Sequence, residues 1–312
     1  MSNILIIKHG SLGDIAQISG VLKDIKIAHS DDKIFILTTI PYVELLSKCP
    51  YVDGVLIDQR LPRWNIPYLI KLKNLIKKFN FTNVYDLQNS SRTSFYRKFI
   101  IKVKNWSSTE TVLKKGEKKK DFDNESVLKR FKVQLKNFNI QSEYTLVPDF
   151  SWAATNVDIL LNRYIGKKFI LLFPFCSTQL AHKKWPHYND LIKIIKSNHK
   201  NFEIIIAPGP NETEEAKKIN SISILDGTKI LTIMQLAGLI KKASYIIAND
   251  TGPAHMSAHL NQQGIVLFGK HTTPEKVSIE TKKFKAIKVE NLRELTAEMV
   301  YSKIQDKLKL IN

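Results

Sequence analysis

A chain of 312 residues with 43% apolar side chains can bury a sizeable core, and at about 150 residues per domain it should form two domains with a cleft between them. Its longest apolar runs, such as Ile4 to Ile7 and Phe169 to Phe173, fall far short of the roughly 20 residues that span a bilayer, and no signal-peptide pattern precedes them, so a cytoplasmic protein is expected. Cys49 and Cys176 lack metal-ligand spacing, which excludes a disulfide framework and a zinc site.

The formal charge of +19 invites a nucleic-acid reading, but its distribution argues against one. Residues 1–150 carry 25 Lys and Arg against 15 Asp and Glu, and the remainder 23 against 14, so the excess is spread over both halves. Arg supplies only 7 of the 48 basic residues, whereas base-edge and phosphate-fork recognition favours its planar donors. A cationic surface suited to anionic lipid or a polyanionic substrate fits better, beside the plain alternative of Lys-rich usage without a role.

Ile4 to Ile7 reads as a strand, followed by the turn Lys8-His9-Gly10-Ser11-Leu12-Gly13-Asp14 and a helix through Ile25. Gly10 and Gly13 alone do not make the G-x-G-x-x-G of a dinucleotide fingerprint, so no nicotinamide cofactor is expected. Asp14 at the helix start is favoured by the helix dipole and by itself is ordinary capping chemistry. Further strands are expected at Ile34 to Thr38, Val55 to Ile57 and Val84 to Leu87. Between the last two, Leu69, Leu72, Leu75, Ile76 and Phe79 form the apolar stripe of a helix. The polar loop from Gln88 to Ser94 follows a strand, where open parallel sheets place ligands.

Residues 97–136 hold 13 Lys and Arg against 5 Asp and Glu, and Lys114 to Lys120 reads as a charged loop that either closes over an anionic acceptor or is simply solvated. Asp121-Phe122-Asp123 imitates a metal-binding Asp-x-Asp but does not follow an apolar strand, so it is discounted. The junction falls between about 148 and 165, giving domains 1–155 and 156–312, with the final helix free to pack back on the first.

In the second half, strands are expected at Phe169 to Phe173, Phe202 to Ala207, Tyr245 to Ala248 and Ile265 to Phe268. Thr232-Ile233-Met234-Gln235 has a capping-box pattern ahead of the helical repeat Ile233, Leu236, Ala237 and Ile240. Leu292 to Leu310 reads as one or two amphipathic helices. The stretch from Ile246 to Leu260 runs from a strand through a polar turn into a helix with Pro253 at its start. Free N–H groups and the dipole at such a start suit an anion, and a diphosphate seat is one reading; ordinary helix-start chemistry is the other.

Three segments in this order resemble the heptosyltransferase family of glycosyltransferases: Ile6 to Asp14, Lys183-Lys184-Trp185-Pro186, and Asn249-Asp250-Thr251-Gly252-Pro253-Ala254-His255. Lesser similarities are Asp86-Leu87-Gln88 with Arg92, Gly209-Pro210-Asn211-Glu212, and Leu267-Phe268-Gly269, while Gly10, Gly20 and Pro174-Phe175 depart from the family pattern.

The resemblance implies an α/β protein of GT-B fold, with two Rossmann-like doubly wound domains facing across a cleft. The acceptor would lie mainly on the first domain and the donor on the second. It implies inversion at the anomeric carbon with no metal and no cofactor. Asp14 would be the general base. The N–H groups at Thr251 and Gly252, with Lys183 as a point charge, would hold the leaving diphosphate. Asp250 would shape the turn, His255 could donate to phosphate or sugar, and Glu212 could accept from a ribose hydroxyl. Lys8, Ser11, Gly13 and Arg92 would contact acceptor or phosphate.

The implied partners are an ADP-heptose-like nucleotide-diphosphate sugar and an anionic glycolipid or envelope saccharide such as the lipopolysaccharide core. A monomer in peripheral contact with the anionic inner membrane surface is expected, without nucleic acid. The alternatives are a nucleotide-sugar epimerase of the same fold, and a non-catalytic envelope- or nucleic-acid-binding protein on a retired scaffold. Asp14 together with Lys183 and the Asp250 to His255 turn speaks against the latter.

Overall fold

The computed structural model describes residues 1–311, without the side chains of Lys120 and Asp121. The chain divides into two compact units, residues 1–152 and 153–312. Among the described residues, no helix is long and apolar enough to cross a membrane.

The first unit runs β1 (Asn3–Ile7), α1 (Leu12–Gln17), α2 (Ser19–Ala28), β2 (Lys33–Thr38), α3 (Val43–Leu46), β3 (Gly54–Ile57), α4 (Ile66–Lys77), β4 (Phe81–Asp86), α5 (Ser91–Phe95), β5 (Asn105–Ser107), α6 (Lys119–Phe122) and α7 (Val127–Lys136). Its five strands are all parallel in the order β3-β2-β1-β4-β5. β1 is central, and its apolar run is buried on both faces, as a strand covered by helices on either side must be. Leu5 and Ile7 pack with Leu69, Leu72 and Ile76 of the stripe read from the sequence and with Tyr68, which it did not include, while Leu75 and Phe79 of the stripe pack against the same core.

The expected first helix is in fact two. Ile18, with ψ near −4°, separates α1 from α2, and Gly20 then lies against the segment at Tyr144. A Cβ on Gly20 would sit 2.1 Å from the Tyr144 carbonyl oxygen, so no larger residue fits without moving that segment. Asp24, one turn on, fixes the same segment by accepting the main-chain N–H of Thr145 at 2.7 Å. The 97–136 region also holds more order than a charged loop: β5 pairs with β4, and Trp106 on it is buried.

The second unit runs α8 (Asp158–Leu161), β6 (Lys168–Phe173), α9 (Tyr188–Asn198), β7 (Phe202–Ile206), α10 (Thr213–Ala216), β8 (Ile222–Ser223), α11 (Ile233–Lys242), β9 (Tyr245–Asn249), α12 (Gly252–His259), β10 (Gly264–Phe268), α13 (Pro274–Val277), β11 (Phe284–Lys288) and α14 (Ala297–Ile311). The sheet order is β11-β10-β9-β6-β7-β8, again all parallel. The Thr232 capping box forms as expected: Thr232 Oγ1 accepts from Gln235 N–H at 3.2 Å and Gln235 Oε1 from Thr232 N–H at 2.9 Å. The C-terminal segment is one helix, α14, and it packs on α9 of its own unit. Val300, Ile304 and Leu308, one helical face, join the core with Leu191, Ile192 and Ile195.

In both sheets the order of strands reverses once, between β1 and β4 in the first unit and between β6 and β9 in the second. At such a switch point the loops leaving the two strands diverge to opposite faces and open a crevice at their carboxyl ends. The turn at Lys8 to Asp14, the loop after β4, the segment 174–186 and the turn at Asp250 all leave from these positions. Topology therefore selects the loops that the motifs occupy.

Candidate active site

In the first unit, the turn after β1 is fixed by its neighbours' strand ends. Lys8 N–H donates to Leu37 O at 3.0 Å, His9 N–H to Gln88 Oε1 at 2.9 Å, and the Thr39 hydroxyl to His9 O at 2.7 Å. Gly10 has φ +125°, a region L residues rarely adopt, and a Cβ there would meet the Tyr42 ring at 2.5 Å.

Asp14 is the third residue of α1, and its Oδ2 accepts from Ser11 N–H at 2.6 Å and Ser11 Oγ at 3.1 Å. The bland capping role is thus filled by one oxygen. The other, Oδ1, faces the Lys8 ammonium at 3.5 Å, and the side chain is 37% exposed. Lys8 itself is buried, with its ammonium also donating to Leu87 O at 3.2 Å, so it acts on the turn from beneath. Gly13 is buried within α1.

Beneath the turn lies a polar network that the sequence reading missed. His9 Nε2 is 2.8 Å from Asp58 Oδ2, Tyr96 donates to the same oxygen at 2.8 Å, and Tyr68 donates to Oδ1. Burial pushes the Asp58 carboxyl up, but His9, Tyr68 and the Arg60 N–H outweigh it and hold it down at about 2. Arg92, expected at an acceptor or phosphate, joins this network, donating to Tyr96 Oη at 3.1 Å and to Leu61 O at 2.9 Å. The available signal was position: Asp58 directly follows the β3 run and His9 follows β1 by two residues. Asp86, at the end of β4, accepts from the N–H groups of Gln88 and Asn89 at 3.1 and 2.9 Å. Its complete burial, only partly offset by those bonds and by Thr93 and Lys8, pushes its carboxyl up to about 6.

In the second unit, Asn249 at the end of β9 ties together the loops of the switch point. Its Nδ2 donates to Pro174 O at 2.8 Å, and its Oδ1 accepts from Trp185 N–H and Tyr188 Oη, each at 3.2 Å. Trp185 is buried and donates from Nε1 to Leu295 O at 2.7 Å. With Trp185 so anchored, Lys183 brings its ammonium to 2.6 Å from Asp250 Oδ2. The Lys-x-Trp-Pro spacing is thus a hydrophobic anchor carrying a charge at a fixed distance. The family's glycine position after Pro174 is here Phe175, which is buried in the same core.

Asp250 gathers three basic side chains. Besides Lys183, His271 Nε2 lies 2.9 Å from Oδ2 and His255 Nε2 lies 3.7 Å from Oδ1. Burial raises the carboxyl, but His255 and the Lys183 ammonium outweigh it and hold it well below the usual carboxylate range. His271 was not singled out from the sequence; its signal was a position two residues past Gly269, at the end of the strand beside β9.

At the start of α12, the N–H groups of Ala254 and His255 turn back to Thr251 O at 3.1 and 3.3 Å, and Pro253 has none. The Thr251 hydroxyl donates to Asn249 O at 3.3 Å and does not cap the helix. Among the described residues, the N–H groups of Thr251 and Gly252 therefore remain without an acceptor. His271, which reaches Asp250, also lines a cavity of about 980 Å³ with His182, Lys184, Lys270 and Arg293, with Glu290 its one carboxylate. Free N–H groups at a helix start and basic side chains of this kind are able to hold an anion.

Glu212 accepts from Gly209 N–H through Oε2 at 2.7 Å, and burial pushes its carboxyl up. Lys184, beside Lys183, pairs with Glu215 on α10, the helix that Glu212 caps, which ties Glu212 to the same loop cluster. Asp123 is paired with Lys119 at 2.5 Å and Arg130 at 3.2 Å, while the side chain of Asp121 lies outside the described residues. Among the described residues, no group of three or more His, Cys, Asp or Glu is placed to hold a metal ion.

The sequence profile of glycosyltransferase family 9 (heptosyltransferase) matches residues 69–307. Lipopolysaccharide heptosyltransferase 1 of Campylobacter coli is 26% identical over 291 residues, covering 85% of this chain and 83% of that protein. Among solved structures, E. coli heptosyltransferase WaaC with ADP superposes with a TM-score of 0.74 at 17% identity, covering 97% of this chain and 99% of the other. E. coli ADP-heptose lps heptosyltransferase II gives 0.75 at 17%, covering 99% of both. These two likenesses are of fold.

Proposed function

Because the chain belongs to glycosyltransferase family 9, the heptosyltransferase family, we propose that it moves a heptose from an ADP-heptose-like donor to a lipopolysaccharide-core or related envelope saccharide. We propose further that it inverts the anomeric carbon and needs no metal. The observation that carries this reading is the pair of unengaged N–H groups at Thr251 and Gly252, with Lys183 held beside the same turn by Asp250. Two aligned donors, a helix dipole and an ammonium give a departing diphosphate fixed positive potential where its charge grows. The cationic cavity that His271 lines supports an anionic donor. An adenine nucleotide is favoured by the ADP in the E. coli heptosyltransferase WaaC structure.

In this scheme the acceptor oxygen bonds to the anomeric carbon as the bond from that carbon to the diphosphate oxygen breaks, and the hydroxyl proton passes to Asp14. The carboxylate suits this because one oxygen is fixed by Ser11 while the other has no tighter contact than the Lys8 ammonium at 3.5 Å, and the side chain is partly exposed. Lys8 and the buried His9–Asp58 network hold the turn beneath it. Asp250 keeps Lys183 and His271 in place, His255 donates to phosphate or sugar, and Glu212 accepts from the ribose through its remaining oxygen. The protein would work as a monomer in the cytoplasm, at the inner face of the cytoplasmic membrane.

The test is direct. The purified chain is given ADP-heptose and a truncated lipopolysaccharide core, and ADP release and acceptor mass are followed with and without a chelator. Gain of one heptose on the acceptor, unchanged by the chelator, supports the scheme. Restoration of a chelated enzyme by a divalent cation overturns its metal-free part, and free-sugar release or epimerisation without transfer overturns the acceptor.

A further inference from the structure

We propose that the first unit carries a bilayer-docking surface, made by Trp64, Ile66, Ile70 and Phe99, that seats on anionic phospholipid. This deepens the reading above in one respect: a lipid-linked acceptor would lie in that bilayer. The surface itself is argued from the residues that form it.

These four side chains are 79%, 57%, 53% and 59% exposed, although each is of a kind that normally contributes to a core. They belong to two adjoining segments. Arg63 donates to Ser91 Oγ at 2.8 Å and lies 5.6 Å from the centroid of the Phe95 ring, and Arg92 donates to Leu61 O at 2.9 Å. The loop before α4 is thereby tied to α5 and to the single π-turn that continues it, Tyr96–Ile100. Phe95 in turn contacts Phe99, ring centroids 5.0 Å apart. In that π-turn Tyr96 and Ile100 are buried, which leaves Phe99 outside. On α4, Ile66 and Ile70 are one turn apart on the exposed face, which continues through Asn74 to Lys77. The stripe therefore passes from apolar to cationic along the helix.

The charge around the surface selects the occupant. From Gln59 to Glu110 the sequence has 11 Lys and Arg and two carboxylates, the buried Asp86 and the exposed Glu110, which accepts from the Ser94 hydroxyl of α5 at 2.8 Å. Arg97 and Lys98 flank Phe99 directly and are exposed, as is Lys71 beside Ile70. Aromatic and aliphatic side chains that enter below the headgroups, with cations at phosphate level, are the elements of interfacial binding. Aliphatic Ile66 and Ile70 offer nothing for a nucleic-acid base to stack on, and two copies of so cationic a face would repel each other.

The experiment uses the full chain with vesicles of phosphatidylglycerol and phosphatidylcholine in a 3:7 ratio, against phosphatidylcholine alone. Co-sedimentation should show at least tenfold stronger partitioning to the anionic vesicles, falling with salt. Tryptophan emission should shift to shorter wavelength on binding in the wild type and not in Trp64→Phe. Trp64→Ser with Ile70→Ser, and separately Arg97→Glu with Lys98→Glu, should each lower partitioning at least tenfold with unchanged melting temperature. ADP binding and turnover of a soluble core acceptor should stay at wild-type levels in both variants, so that failure here is distinct from failure of the transferase reading. Vesicle binding that survives both variants overturns the proposal. So does a wild type that binds RNA or self-associates through these residues and ignores vesicles.

Discussion

Lys183 and Asp250 stand 67 positions apart in sequence, yet the ammonium of one lies 2.6 Å from the carboxylate of the other. The pair forms because β6 and β9 are neighbours, so the loops that leave them begin side by side. Asp250 is buried and its carboxyl is held well below the usual range, so it fixes the Lys183 ammonium at the residue that precedes the Thr251 and Gly252 N–H groups. A seat whose charges are already oriented loses little in reorganisation when a leaving group develops charge.

Asp250→Asn should therefore release both Lys183 and His271. Removing one member of a largely buried ion pair strands the other, which costs roughly 2 to 4 kcal/mol after allowance for the partial exposure of Lys183. Urea unfolding should show that loss, and calorimetry should show ADP affinity reduced at least tenfold. Unchanged ADP affinity would separate the cluster from the donor.

Asp14 caps α1 through Ser11, and different substitutions divide that role from the proton acceptance proposed for it. Asp14→Asn keeps an oxygen for Ser11 N–H, so stability should fall by less than about 1 kcal/mol, whereas Asp14→Ala also loses the cap. Both should lower the transfer rate by about 10² to 10⁴, with ADP binding nearly intact. If the Asp14→Asn enzyme transfers at the wild-type rate, Asp14 is a cap and nothing more.

Asp86 gives a stability that depends on pH with a defined sign. Its folded-state pKa, about 6, lies above the ordinary carboxylate value. Between about pH 4 and 6 the folded state binds more protons than the unfolded state, so stability falls as pH rises through that window. Asp86→Asn, which keeps an acceptor for Gln88 and Asn89, should gain up to about 2 kcal/mol at pH 7.5 and little at pH 4. Denaturant midpoints at the two pH values measure this.

His259 acts in the opposite direction on the acid side. It is buried on α12, its Nε2 has no hydrogen-bond partner among the described residues, and burial together with His255 depresses its pKa to about 3. Below about pH 6.5 the unfolded chain takes up a proton that the folded chain refuses, so stability is lost as pH falls towards 3. His259→Leu should flatten that limb, and an unchanged slope between pH 6 and 4 would show that other groups govern it.

How far the sequence was legible depended on where each element lies in its sheet. The central strands β1, β6, β7, β9 and β10 are continuous apolar runs because both their faces are covered, and they were readable to within a residue or two. β5, β8 and β11 were not foreseen. β5 and β8 have only three and two residues, and Phe284–Lys288 carries lysines at two of its five positions. Edge strands like these owe their conformation to the neighbour they pair with, and local pattern does not report that pairing. The break between α1 and α2 was hidden for a similar reason: it accompanies the approach of Tyr144, more than a hundred residues away.

The same division runs through the candidate site. Sequence alone determined the residue types at each turn and, to within one residue, the helix start that the structure places at Gly252, because these are local matters of φ, ψ and spacing; that Trp185 anchors the loop carrying Lys183 is a tertiary fact, set by Leu295 and Asn249. Only the tertiary structure decided that Asp250 gathers Lys183, His255 and His271, that His9 lies against Asp58 with Tyr68 and Tyr96, and that Lys8 works from beneath the turn. Those contacts join residues brought together by strand order, and strand order is set by which apolar faces bury together across the whole unit. The motif at Asn249 to His255 supplied the donors; the sheet decided what stands beside them.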